Sequence, residues 1–154
     1  MSTQLQHSGT CYCGSVSYTV TGNPTLSAFC HCTRCQRMNG AAFIWTIHFP
    51  ATAFIWTHSE PHSVALNSYA AEDKPWKTRY RCKNCGVCVA SRNTETESVS
   101  VWGVQLERHE DGATKDLDSV RPTAHIFYAT RIVDVQDNLG KWEGYEGSST
   151  RMLL

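Results

Sequence analysis

Three groups of cysteines constrain the fold of this chain more than any other feature of its sequence. The chain has eight cysteines in 154 residues, and seven of them fall into short groups. These groups are Cys11 with Cys13, then Cys30, Cys32 and Cys35, and finally Cys82 with Cys85. Thiols this close together in C-x-C and C-x-x-C spacing are typical of disulfide frames, redox motifs or metal sites.

The cellular compartment decides between these uses. The first seven residues lack the charged and apolar regions of a secretory signal, so we expect a cytoplasmic protein, in which thiols stay reduced. A disulfide frame is therefore disfavoured. A thioredoxin-like redox motif needs alternating strands and helices, and that pattern is missing here. The sequence favours metal binding.

The outer two groups predict a structural zinc site. Cys82 and Cys85 are followed by Gly86, which allows the tight turn of a zinc knuckle. Cys11 and Cys13 are the other isolated pair of thiols. Since structural zinc takes four ligands in a tetrahedron, we pair these two groups in one closed site, whose binding energy would add to the stability of the fold.

The central group leaves two interpretations open. Three cysteines, Cys30, Cys32 and Cys35, match the protein ligand count of a catalytic zinc, with a fourth position for water or substrate. Alternatively, Cys88 or His31 completes a second closed site, because eight thiols suffice for two four-cysteine sites. Spacing alone does not separate these. An iron–sulfur cluster is less favoured, because neither usual ferredoxin spacing is present.

Charge and length exclude several other functions. Lys+Arg and Asp+Glu both number 14, and no basic run of four residues occurs, so nucleic acids and anionic membranes are disfavoured partners. No apolar run is long enough to span a bilayer. The length predicts a single domain over residues 1–154. Near-zero net charge weakly supports a homo-oligomer.

The apolar pattern predicts a mainly β fold. Two β-branched and aromatic runs, 41–49 and 53–57, are separated by Pro50 and are predicted as strands that could form a hairpin. One helical turn is predicted over residues 33–39, ending at Gly40. Residues 107–120 and 134–145 are predicted as mostly irregular. Further strands are predicted over 15–20, 26–29, 62–69, 78–81, 87–91, 98–106 and 125–131.

The cysteine pattern and its satellites resemble a known family. Beyond the cysteines, the resemblance rests on Ala41-Ala42-Phe43, on Pro122, His125 and Ile126, and on Trp142-Glu143-Gly144. Over residues 9–144 this pattern resembles the glutathione-dependent formaldehyde-activating enzyme family, which includes the centromere protein V domain.

The resemblance implies a β-tent fold of antiparallel sheets with two zinc ions. It implies that Cys11, Cys13, Cys82 and Cys85 hold a structural zinc and that Cys30, Cys32 and Cys35 hold a catalytic one. The implied activity is that of a carbon–sulfur lyase: glutathione binds through its thiolate and adds to formaldehyde, giving S-hydroxymethylglutathione.

Two other functions stay open. A family member could act on another thiol adduct or reactive carbonyl in a biosynthetic reaction. Alternatively, the chain could be a non-catalytic zinc module that binds a protein or chromatin, as the centromere protein V branch suggests. That branch is expected to carry extra basic sequence, which this neutral chain lacks, so we favour the enzyme.

Several other residues have ordinary interpretations. His31 is expected to lie behind the metal or to face solvent, and His125 to be a hydrogen-bonded core residue. Cys88 is expected to be a core thiol. Glu143 receives no catalytic role. Solvated charges are expected at Arg34, Arg37 and Lys83, and core or rim positions at Trp45, Trp56, Trp76, Trp102 and Trp142.

Overall fold

A computed structural model describes residues 3–154, and the predicted mainly β class is confirmed. Met1 and Ser2, which begin the predicted domain and the N-terminal segment, lie outside the described residues. The strands are β1 (Gln6–Thr10), β2 (Ser17–Thr21), β3 (Leu26–Cys30), β4 (Ile44–Pro50), β5 (Phe54–Trp56), β6 (Leu66–Tyr69), β7 (Lys77–Cys82), β8 (Cys88–Asn93), β9 (Ser98–Trp102), β10 (Ala124–Ile126) and β11 (Gly140–Lys141). The helices are α1 (Thr33–Asn39) and α2 (Leu117–Val120), with 3-10 turns at Ala51–Ala53, His62–Ala65, Gly103–Gln105 and Tyr128–Thr130.

The strands form two sheets. The small sheet has the order β1-β2-β5, and the large sheet has the order β11-β10-β3-β4-β9-β8-β7-β6. Every pairing is antiparallel except at one edge, where β10 runs parallel to both β3 and β11. The prediction of antiparallel sheets therefore needs correction at this edge. Parallel neighbours need a long connection, and residues 127–139, which include the 3-10 turn Tyr128–Thr130, supply one between β10 and β11.

The predicted hairpin between the runs 41–49 and 53–57 is wrong. Strand β4 pairs with β3 and β9 in the large sheet, whereas β5 pairs with β2 in the small one. The chain changes sheets at Pro50, which lacks a backbone donor, and at the 3-10 turn that follows. Phe54 and Trp56 then pack against Tyr18 between the sheets.

Most other elements match their predictions, with shifted ends. Helix α1 has the predicted bounds and ends at Gly40, which adopts the left-handed conformation with φ of 57°. The first half of the predicted strand 62–69 is a 3-10 turn. The predicted strand 125–131 stops at Ile126, because Phe127 has a φ of 51° and a 3-10 turn follows.

The core lies between the two sheets. Alternate residues of a strand point to opposite faces, and one face of the large sheet is apolar. Its side chains pack against Val16, Tyr18 and Val20 of the small sheet and the loop before it. The packed residues from the large sheet include Ile47, Phe49, Val89, Val99 and Val101. The middle of the opposite face is polar, and the candidate site is built there.

Across residues 3–154, none of the helices combines the length and the apolar character needed to cross a bilayer.

Candidate functional site

The structure brings the four outer cysteines together. The sulfur atoms of Cys11, Cys13, Cys82 and Cys85 all lie within 4.8 Å of one another. The sulfurs of Cys11 and Cys13 are 3.6 Å apart, and those of Cys13 and Cys82 are 3.7 Å apart. A tetrahedral zinc with Zn–S bonds of about 2.3 Å needs sulfurs about 3.8 Å apart, so this cluster fits a metal ion such as zinc.

Backbone groups support the sulfurs of this four-cysteine cluster. The N–H of Val16 donates to Cys11 Sγ at 3.3 Å, and the N–H of Cys85 donates to Cys82 Sγ at 3.4 Å. Gly86 has a φ of 77°, so the predicted glycine turn of the knuckle is confirmed. Such donors favour the charged thiolate form that a metal requires.

The three central cysteines form a separate cluster. Cys30 ends β3, Cys32 caps the N-terminus of α1, and Cys35 lies in the first turn of that helix. The Cys35 N–H donates to Cys32 Sγ at 3.3 Å, and the three sulfurs lie within 4.8 Å of one another. In the described part of the chain, no other cysteine, histidine or carboxylate joins this group. Neither Cys88 nor His31 is therefore a fourth member.

The thiols of each cluster compete for protons, as expected of a metal donor set. Hydrogen bonds with Cys30 and Cys35 lower the pKa of Cys32 to about 2, and the hydrogen bond with Cys32 raises the pKa of Cys30. In the other cluster, a hydrogen bond with Ser15 lowers the pKa of Cys13 to about 5. A shared cation would stabilise all of these sulfurs as thiolates.

His31 lies between two of the central cysteines but points away from them. It is fully buried, and its Nε2 lies 2.9 Å from Nδ1 of His125, which is also fully buried. The ring of Phe43, one of the satellite residues, stacks on His31 with ring centroids 4.6 Å apart. The interpretation of His125 as a hydrogen-bonded core residue is confirmed, and it does not line the cavity described below.

The hydrogen-bond chain continues from His125 to the C-terminal segment. Nε2 of His125 lies 2.8 Å from Asp137 Oδ2, and Lys141 Nζ donates to the other oxygen of that carboxylate at 2.5 Å. Trp142, another satellite residue, donates its backbone N–H to the His125 carbonyl at 2.9 Å. Three of the satellite residues, Phe43, His125 and Trp142, are therefore connected to the central loop through His31.

Two side chains hold the backbone of the central loop. Gln36 Nε2 and the Thr130 hydroxyl both donate to the His31 carbonyl, at 2.7 and 2.9 Å.

Cys88 lies in the apolar cluster that also contains Cys30, and burial raises the pKa of its thiol. This placement matches the predicted core thiol.

The central cluster forms part of the wall of a cavity. The cavity has a volume of about 240 Å³ and is lined by all three central cysteines, whereas no member of the four-cysteine cluster lines it. Its other walls are the polar face of the large sheet and a few apolar and aromatic side chains, including Trp102 and Tyr145. The polar face contributes Thr46, His48, Lys77, Arg79, Ser91 and Ser100.

The cavity is strongly cationic. Its lining includes Arg34, Lys74, Lys77 and Arg79, and no aspartate or glutamate. Arg34 pairs with Asp73, and the side chains of the two are 40% and 64% exposed. The other two basic residues singled out by sequence, Arg37 and Lys83, are exposed and do not line the cavity.

Sequence reasoning missed most residues of the cavity wall. Lys77, Arg79, Ser91 and Ser100 lie on strands, and nothing in their spacing resembles a known motif. One signal was available, because Lys77, just before the predicted strand 78–81, and Arg79 within it alternate with Thr78 and Tyr80. Such alternation places both cations on one face of the sheet.

The fold and the two clusters define a mainly β, cysteine-rich protein whose sites suit metal ions. A family model described as "Glutathione-dependent formaldehyde-activating enzyme" matches residues 6–130, so the chain belongs to this family. It is also similar to a crystal structure of a Rhodobacter sphaeroides protein, with 20% identity and a TM-score of 0.48 over 67% of this chain and 90% of that chain. No curated protein matches the chain.

Proposed function

We propose that this chain is a zinc-dependent carbon–sulfur lyase that joins a thiol, glutathione in the first instance, to formaldehyde or a related reactive carbonyl. One observation carries the proposal: the three sulfurs of Cys30, Cys32 and Cys35 line a cavity, and no fourth protein ligand joins them within residues 3–154. Membership of the family supports the same reaction class.

The two clusters would have different tasks. The four-cysteine cluster would hold a structural zinc with a complete protein ligand set, and the central cluster would hold the catalytic one. A zinc ion bound by three cysteines stabilises a substrate thiol as its thiolate, the nucleophilic form. The need for reduced cysteines supports a cytoplasmic location.

The residues around the cavity would bind and orient the reactants. Lys77 and Arg79 attract an anionic thiol, and Ile44, Trp102 and Phe127 exclude water from the wall. Tyr145 belongs to the same wall, and burial raises the pKa of its phenol, with the central cysteines adding to the effect. Tyr145 is therefore protonated near neutral pH and is available as a hydrogen-bond donor to the carbonyl oxygen.

The proposed addition balances without any oxidant. The sulfur electron pair of the thiolate forms the new bond to the carbonyl carbon, and the carbonyl π pair moves to oxygen. That oxygen takes a proton, replacing the one lost from the thiol, and the product is a hydroxymethyl thioether. In the reverse direction the carbon–sulfur bond breaks. Holding the two reactants in contact accounts for the gain over the uncatalysed reaction.

The test combines zinc content with turnover. We expect the wild type to bind two zinc ions. It should also catalyse the reversible addition of glutathione to formaldehyde faster than the uncatalysed reaction, as measured by NMR exchange. Cys32→Ser should lose one zinc and reduce turnover by about 100-fold or more. Cys88→Ser is the matched control, because this thiol belongs to neither cluster.

Two results would contradict the proposal. One is a Cys32→Ser variant with unchanged zinc content and turnover. The other is a wild type with two inert zinc ions that no thiol can reach, which would favour the non-catalytic interaction module. If glutathione binds without reacting with formaldehyde, a panel of other carbonyls then tests the biosynthetic alternative.

A further inference from the structure

A row of polar side chains crosses the large sheet inside the cavity. The strand register places Arg79 opposite Ser91, Ser91 opposite Ser100, and Ser100 opposite His48. Directly opposed residues on neighbouring strands point to the same face, and all four line the cavity. The residues that follow them or precede them in the strands, Tyr80, Ala90, Val101 and Ile47, pack in the core on the opposite face.

Arg79 is buried without a partner from the protein. Its side chain belongs to a residue only 5% exposed, and Ser91 and Ser100 beside it are 4% and 7% exposed. Throughout residues 3–154, Arg79 is the one buried lysine or arginine. Its guanidinium forms no ion pair or hydrogen bond with any described residue, whereas Arg34, Arg81 and Arg131 each donate to a protein oxygen. None of the Arg79 nitrogens is among the fully enclosed polar atoms without a partner, so the guanidinium faces the cavity, where a ligand can supply the partner that the protein does not.

The surroundings of Arg79 favour an anion over any other ligand. Lys77 lies two positions earlier on β7, lines the same cavity and is half-buried. Burial, and then the charge of Arg79, lower the pKa of Lys77. No carboxylate lines this cavity, and the charges of the central cysteines raise the pKa of Lys77 less than burial and Arg79 lower it.

We propose that Arg79, with the hydroxyls of Ser91 and Ser100 beside it, binds an oxyanion of the substrate, and that Lys77 adds attraction through its charge. The planar N–H fork of arginine matches two oxygens of a carboxylate or a phosphate group. This inference rests on the proposed function, which places the substrate sulfur at the three central cysteines. The substrate class is then an acidic thiol, or its adduct, and a neutral thiol is a poor substrate.

The size of the cavity limits what it can enclose. A volume of about 240 Å³ is below the range of about 300–1,000 Å³ typical of sites that bury a drug-sized ligand. A small acidic thiol would fit between the central cysteines and Arg79. A tripeptide would extend past Lys77 and His48, which also line an adjoining cavity of about 400 Å³.

Thiols of graded length and charge test this inference. In protein with Co²⁺ in place of zinc, binding of a thiol sulfur changes the cobalt absorption spectrum. The probes are straight-chain thiols that end in a carboxylate, in its methyl ester or in a phosphonate, with one to five methylene groups. We expect at least one acid to bind about tenfold or more tightly than its neutral ester. Carboxylates binding more tightly than phosphonates would identify a carboxylate substrate, and the reverse order a phosphate.

Variants assign the preference to Arg79. Arg79→Gln should lose most of the preference for acid over ester, keeping only the weaker part that the charge of Lys77 contributes. Arg92→Gln is the matched control, because Arg92 is an exposed arginine on the neighbouring strand β8 and does not line the cavity. It should keep the full preference. If Arg79→Gln fails to fold, the double variant Ser91→Ala with Ser100→Ala should reduce the preference about threefold or more. The inference is overturned if Arg79→Gln keeps the full acid preference of the wild type. If Arg79→Gln does not fold, an undiminished preference in the folded double variant overturns it.

The outcomes separate this inference from the proposed function. If neither acids nor esters change the cobalt spectrum, the proposed thiol site fails. Alkyl carboxylates and phosphonates without sulfur then test the oxyanion site alone, by NMR titration. Binding by wild type and Arg92→Gln but not by Arg79→Gln supports the oxyanion site. Equal binding by all three proteins, or binding by none, overturns it.

Discussion

The sulfur of Cys13 lies 3.7 Å from the sulfur of Cys82, although 69 residues separate them in the chain. Cys13 lies in the turn before β2 of the small sheet, and Cys82 ends β7 of the large sheet. A metal held between them would therefore connect the two sheets at one end. The central cluster has no such role, because its three cysteines come from one short stretch around the start of α1.

Cys82→Ser should destabilise the fold. The variant removes one of four ligands from the proposed structural zinc, whose binding energy is also folding energy. We expect the loss of one zinc per chain and a decrease of about 5 kcal/mol in the free energy of unfolding, or failure to fold. Metal analysis and denaturant unfolding measure the two effects. A variant with normal zinc content and stability would contradict the structural role of this cluster.

Cys88→Ala should have a mild effect. Its thiol is buried among apolar side chains and belongs to neither cluster, so the variant loses only packing. We expect unchanged zinc content and a loss of about 1–2 kcal/mol in unfolding free energy. If the variant instead released the central zinc, Cys88 would be the fourth ligand and the closed interpretation of that site would be correct.

Asp137→Ala should weaken the support behind the central cluster. Burial opposes ionisation of Asp137, but hydrogen bonds with His125 and Lys141 lower its pKa to about 2. Removing this acceptor leaves Nε2 of the buried His125 without a hydrogen-bond partner, at a cost of about 1–3 kcal/mol. The control is Asp134→Ala, which removes an exposed partner of Arg131 and should cost less than about 1 kcal/mol. Equal unfolding free energies for the two variants would disprove the role of Asp137.

The same carboxylate makes stability depend on pH in acid. Because the pKa of Asp137 is depressed in the folded state, its contribution is present above the unfolded pKa of about 3.9 and is lost as the pH falls toward 2. The difference in unfolding free energy between wild type and Asp137→Ala should therefore shrink from pH 5 to pH 2. A constant difference over this interval would contradict the assignment.

His48→Asn should make stability less sensitive to mild acid. Burial, and then the charge of Lys77, lower the pKa of His48 to about 4, below its unfolded value of about 6.5. As the pH falls from 6.5 to 4, the unfolded chain takes up this proton more readily, so wild type loses stability by at most about 3 kcal/mol. The variant should lose less between pH 7 and pH 5. His109→Asn, at an exposed histidine, is the control and should follow the wild type. If the unfolding free energy of His48→Asn depended on pH as that of the wild type does, the prediction would be refuted.

Local sequence signals predicted those elements whose causes are local. Helix α1 has its predicted ends for local reasons. Gly40 supplies the left-handed cap at its C-terminus, and the Cys32 sulfur accepts a hydrogen bond from the Cys35 N–H at its N-terminus. Spacing and the ligand count of zinc predicted the four-cysteine cluster, but they left Cys88 or His31 open as a fourth member of the central one. Strand β1 was missed, because Gln6–Thr10 has no large apolar residue; pairing with β2 and a 2.9 Å hydrogen bond between His7 and Ser119 stabilise it.

The cavity wall depended on information that the sequence does not carry locally. Arg79, Ser91 and Ser100 become neighbours only through the register of β7, β8 and β9. Each looks like an ordinary strand residue until the sheet is assembled. The change of sheet at Pro50 was missed for the same reason, since it depends on packing of Phe54 and Trp56 against Tyr18.

A crystal structure of the zinc-loaded protein soaked with glutathione tests the central claim most directly. We predict two zinc ions, with Cys30, Cys32 and Cys35 as the protein ligands of one of them and the glutathione sulfur as its fourth ligand, at about 2.3 Å. A central zinc with a fourth ligand from the protein itself, such as Cys88, and with glutathione elsewhere or not bound would contradict the claim.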